Sequence, residues 1–106
     1  MSTDEMREAL VAYLATFRTW SYSQLSQRVE RDVRTHECLD HFEGVASDGT
    51  PYQIESQAYW DDKRGGDVRV VANLSADPQK PILGFIYRAD ASDSFIMAPN
   101  GQFVGE

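Results

Sequence analysis

The chain reads as an α+β protein: two N-terminal helices packed on a four- to five-stranded antiparallel meander. Three observations predict it. Apolar residues recur at steps of three and four through the first third of the sequence. Strict alternation takes over from Tyr52, with Tyr52, Ile54, Ser56, Ala58 and Trp60 on one side and Gln53, Glu55, Gln57 and Tyr59 on the other. The extended runs are joined by turn residues such as Asp48-Gly49 and Gly65-Gly66, so helices and strands fall into separate blocks, as in α+β folds. Cone-shaped and cystatin-like folds share that order of elements by analogy.

The first helix is expected over Thr3–Phe17. Met6, Leu10, Tyr13, Leu14 and Phe17 share one face, and Ser2 with Glu5 has capping-box spacing. Asp4, Glu5 and Glu8 suit the positive end of its dipole, and Arg18 the other. Ser21 and Gln24 repeat the box, opening a second helix from Tyr22 to Arg31 or a little beyond, with Tyr22, Leu25, Val29 and Val33 inward. Its other residues, Arg28, Glu30, Arg31, Asp32 and Arg34, mix signs and read as a solvated face.

Asp48-Gly49, whose two positions tolerate positive φ, joins a strand near His41–Ser47 to Thr50–Trp60. Pro51 suits an edge strand, where its missing donor does no harm. Asp61–Gly66 connects to a strand over Asp67–Ser75. After a proline-containing turn, strands follow at Ile82–Arg88 and Phe95–Ala98, separated by a turn at Ala89–Ser94, and Pro99-Asn100-Gly101 precedes Phe103-Val104. The expected core sets Leu10, Leu14 and Phe17 against Ile54, Val70 and Phe85.

With 106 residues the chain is expected to form a single domain, 1–106. A net charge of −7 and a pI near 4.7 disfavour nucleic acid and anionic membrane as partners. Cys38 is the only cysteine, no apolar run is long enough for a membrane span, and no signal-peptide core is present, so a cytoplasmic location is expected. His36, Cys38 and His41 are the one soft-ligand cluster. Three ligands do not fill a structural zinc site, so the expectation is no metal, with a half-buried cysteine and two surface histidines. No dinucleotide, phosphate-loop, nucleophile-elbow or zinc-protease motif is present, so no cofactor is assigned and binding is favoured over catalysis.

Trp60-Asp61-Asp62, Gly65-Gly66-Asp67-Val68-Arg69-Val70 and the segment from Asp93-Ser94-Phe95-Ile96 through Pro99-Asn100-Gly101-Gln102-Phe103-Val104-Gly105-Glu106 resemble the C-terminal half of a family of small bacterial proteins known as a domain of unknown function. The terminal segment, which ends in Gly105-Glu106, is its most specific part. Ala76 to Gly84, with two prolines, departs from that pattern. The resemblance implies no activity, cofactor or catalytic residue.

A meander reverses at each turn, so Asp61–Gly66 and Ala89–Ser94 are expected at one end of the sheet. Asp61, Asp62, Asp67, Asp90 and Asp93 would crowd one rim, among Lys63, Arg64, Arg69 and Arg88. Tyr59, Asp61, Asp62, Arg64, Asp90 and Asp93 are accordingly the expected partner-binding residues, although aspartate is also common in turns for local reasons. The functional expectation is a small acidic binding protein with a protein partner, inhibiting or neutralising a basic macromolecule as immunity proteins do. Alternatives are a cone-like domain holding a small ligand or an active site, and a self-associating module dimerising through a sheet edge.

Overall fold

The computed structural model describes residues 1–76 and 89–105. Two helices precede a four-stranded antiparallel sheet: α1 (Thr3–Arg18), α2 (Tyr22–Thr35), β1 (Asp40–Val45), β2 (Pro51–Trp60), β3 (Val68–Ala76) and β4 (Ala91–Met97), in the spatial order β1-β2-β3-β4. The expected α+β class holds, with four strands among the described residues. The strand expected at Ile82–Arg88, and Phe85 of the expected core, lie outside the described residues.

Each helix starts where its cap dictates. Ser21 accepts the Gln24 N–H while the Gln24 side chain accepts the Ser21 N–H, a complete capping box. At α1 Ser2 Oγ accepts the Glu5 N–H at 3.1 Å, but the Glu5 carboxylate reaches away to the Ser47 N–H, tying the helix to the β1–β2 hairpin. Four residues later than the shorter reading, α2 ends at Thr35 with His36 in the left-handed region at φ 58°.

Leu10, Leu14 and Phe17 of α1 and Leu25 and Val29 of α2 bury against Ile54, Ala58, Val68, Val70, Ala72, Leu74, Phe95 and Met97, all from the same sheet face. The expected contribution of α1 is therefore correct. In α2 the assignment of Val33 is not: it is 62% exposed, whereas Asp32 is only 7% exposed. Val33 falls outside the stripe Leu25–Val29–Asp32 as the helix turns past the sheet. Asp32 is held there by Arg28, whose Nε lies 3.7 Å from Asp32 Oδ1 and whose Nη2 donates to the Leu39 carbonyl at 2.6 Å.

The β1–β2 hairpin turns at Asp48-Gly49 as expected, but only Gly49 takes positive φ (87°). Ala46 donates to the Thr50 carbonyl, Gly49 donates back to Ala46, and Asp48 Oδ1 accepts the Thr50 N–H. This makes a three-residue loop rather than two adjacent left-handed positions. Pro51 is not on an edge strand. It is the first residue of the interior strand β2, where a missing donor is tolerated at the strand end. The segment expected to turn at Ala89–Ser94 is largely strand: β4 begins at Ala91 and pairs it with Leu74.

The helices cover the sheet unevenly. α1 lies chiefly over β3 and β4, and α2 over β2 and β3. Among the described residues β1 is an edge strand, left beside them.

Candidate functional site

Between α1 and the β1–β2 edge lies a hollow of about 410 Å³, lined by Ala9, Ala12, Tyr13, Thr16 and Phe17 of α1, by Asp40 and Phe42 of β1, and by Tyr52 and Ile54 of β2. It exists because small side chains, Ala9, Ala12 and Thr16, occupy the α1 positions facing β1. Phe42 is 44% exposed, and its ring lies 6.2 Å from both Tyr13 and Tyr52. Gly44 faces Tyr52 across the ladder, and a Cβ added there would come within 2.5 Å of the tyrosine ring. The missing side chain is what lets Tyr52 lie over β1 and form one wall.

The hollow has a polar floor. Tyr13 donates to Asp40 Oδ2 at 2.9 Å, and Ser56 Oγ lies 2.6 Å from the same phenol oxygen. Since the Tyr13 proton is directed at Asp40, Ser56 is the donor in that short contact. Burial pushes the Tyr13 phenol above the usual tyrosine range; the Asp40 carboxylate adds to this and the Ser56 bond partly opposes it. The phenol is thus a fixed neutral donor and no base at ordinary pH. Ser56 is fully buried and not presented as a nucleophile. The trio orients and holds; it is not built for proton transfer or acyl chemistry.

Next to the hollow, β1 presents a backbone edge that no other strand among the described residues pairs with. Ala46 N–H bonds to Thr50, so in an antiparallel ladder the even residues pair with β2 and His41, Glu43 and Val45 direct their main-chain groups outward. A second hollow continues along α1 past Glu5, Glu8, Ala9 and Val45. Neither hollow has a lysine or arginine in its lining among the described residues.

The residues expected to form a single acidic rim are separated. Asp61 and Asp62 follow Trp60, at the end of β3 that starts with Val68, whereas Asp90 donates its N–H to the Leu74 carbonyl at the opposite end. Val68 and Leu74 are six residues apart along β3, roughly 20 Å of strand. Asp93 is in mid-strand, opposite Ala72. The error follows from treating Ala89–Ser94 as a turn at the Asp61 end; with β4 starting at Ala91, its first residue sits at the far end of β3. Several of these side chains are also engaged internally. Asp61 bonds Arg69 at 2.8 Å and keeps its guanidinium firmly charged, Arg64 bonds Glu30 of α2 at 2.7 Å, and Asp90 accepts the Ala76 N–H. Tyr22 further pins this loop through the Gly65 and Gly66 carbonyls. Tyr59 is exposed on the face away from the helices, while Trp60 packs against the core.

His36, Cys38 and His41 are all exposed, so the cysteine is not half-buried as expected. His41 lies between Glu43 and Glu55, 3.5 Å from each. Among the described residues no three His, Cys, Asp or Glu side chains are placed to hold a metal ion, and no helix is long and apolar enough to cross a membrane.

Sequence reasoning missed the groove because its parts, Ala12, Phe42, Tyr52 and Gly44, look like ordinary helix and strand positions. The usable signal was the pair of small residues Ala9 and Ala12 flanking the apolar stripe of α1. Comparison with known protein families, curated proteins and solved structures finds no match, so the site is read from its geometry.

Proposed function

We propose that this protein is a binding domain that captures an extended polypeptide segment of a protein partner, by adding it to β1 as a further strand with its side chains in the α1–β1 groove. The observation that carries this is the coincidence of a strand edge left unpaired among the described residues with an aromatic hollow beside it. Main-chain pairing supplies affinity in such an arrangement, and a pocket beside every second residue supplies selectivity. The reading retains the acidic binding protein expected from the net charge of −7 but moves its site from the Asp-rich loops to the α1–β1 groove. The raised phenol of Tyr13 and the inaccessible hydroxyl of Ser56 argue for binding over catalysis.

A peptide library displayed on phage, selected on the immobilised protein and then tested on a Phe42→Asp variant of unchanged circular dichroism, examines this reading. Enriched peptides should lose binding to the variant, because the charge enters the hollow. Peptides that bind both proteins equally would move the site elsewhere.

A further inference from the structure

The two faces of the open edge differ in chemistry, and that difference specifies the occupant. On the helix side β1 presents Phe42 and Gly44 beside Ala12 and Tyr52, an apolar surface bounded at one end by Asp40, whose carboxylate accepts from Tyr13. On the outer side it presents His41, Glu43 and Val45, with His41 3.5 Å from both Glu43 and Glu55 of β2. A strand added to β1 would send alternate side chains to these two faces. From this, and resting on the strand-addition reading above, we infer that the partner segment is an extended run of about six residues in which apolar side chains alternate with lysine or arginine, apolar toward the groove and basic toward Glu43 and Glu55. β1 spans six residues, which sets the length.

Charge complementarity favours this occupant over a second copy of the chain. Glu5 and Glu8 line the adjoining hollow, and no lysine or arginine lines either hollow among the described residues. Edge-to-edge pairing of two copies would bring a second Glu5, Glu8, Asp40 and Glu43 toward the first set, on chains that each carry −7. Like charges meeting across a new interface oppose association, whereas a basic segment is attracted to the same surface.

Three capped seven-residue peptides test the inference: one alternating valine and arginine, one with the same residues in two blocks, and one alternating valine and glutamate. Calorimetry measures affinity and amide exchange followed by NMR locates the contact. The alternating valine–arginine peptide should slow exchange at His41, Glu43 and Val45, and should bind about tenfold or more tightly than either control, with affinity falling as salt rises. A Glu43→Lys variant should reverse the preference between the arginine and glutamate peptides. Equal binding of the glutamate peptide would overturn the basic specificity while leaving strand addition standing. Equal binding of the block peptide would overturn the alternation. Absence of any effect at β1 with all three would overturn both readings. Exchange protection at these amides that grows with protein concentration alone would assign the edge to a second copy instead.

Discussion

The Tyr13 hydroxyl stands 2.6 Å from the buried Ser56 Oγ, joining the middle of α1 to the centre of β2. This bond fixes how closely the helix approaches the sheet beside β1. The groove is the space left on the outer side of that contact, so the same pair satisfies a buried hydroxyl and shapes the site. Four expectations follow from this arrangement and its surroundings.

Alkaline titration should show Tyr13 ionising late. Its folded pKa is raised above the unfolded value of about 10, chiefly by burial. The folded state therefore holds this proton more tightly than the unfolded chain does. Its contribution to stability is complete below the unfolded pKa and is lost progressively as pH rises above it. Ultraviolet titration should show a tyrosine step well above the usual range, and Tyr13→Phe should abolish that late step. The same substitution should cost about 1–3 kcal/mol at neutral pH by removing a partner of buried Ser56.

Arg28→Met should destabilise the protein by about 3 kcal/mol, because Asp32 is left buried without its counter-charge. Neither carboxylate oxygen of Asp32 makes a hydrogen bond, so the guanidinium 3.7 Å away is its main compensation. Combining it with Asp32→Leu should restore most of the loss, since an apolar pair suits a site beside Leu25 and Val29. Denaturant unfolding of both variants measures this. A double mutant as weak as the single would show that the cost comes from the lost Leu39 contact instead.

Leu14→Ala should cost about 2–5 kcal/mol, as expected for a leucine removed from a packed core. Leu14 is 1% exposed and sits among Leu10, Phe17 and the sheet residues. An unchanged melting temperature would show that α1 is not docked on the sheet.

Gly44→Val should leave the backbone of β1 intact, since Gly44 does not need positive φ. The new side chain would collide with the Tyr52 ring and push it from the groove wall. Overpacking of this kind costs about 1–3 kcal/mol. Binding of selected peptides should fall more steeply than stability does, and chemical shifts around Tyr52 and Phe42 report the displacement. Peptide affinity equal to that of the parent protein would remove Tyr52 from the site.

The helices, their caps, the strands β1 to β3, the Phe95–Met97 part of β4 and the inward face of α1 follow from the residues alone. Period 3.6 through Leu10, Leu14 and Phe17, period 2 through Ile54, Ser56 and Ala58, and hydroxyl residues before each helix are local signals, which act over a few neighbours. Only tertiary structure decided the start of β4, the depth of Asp32 and the location of the groove. Ala91–Ser94 extends the strand expected from Phe95 because β3 offers it a ladder from Leu74 to Val71, a pairing that its own sequence does not encode locally. Asp32 is buried because Arg28 accompanies it against Leu39. The groove needs Ala12, Phe42, Gly44 and Tyr52 from three separate elements, and its width is set by how far α1 stands from an edge strand. Such a distance is a property of packed layers, and spacing along the chain does not record it.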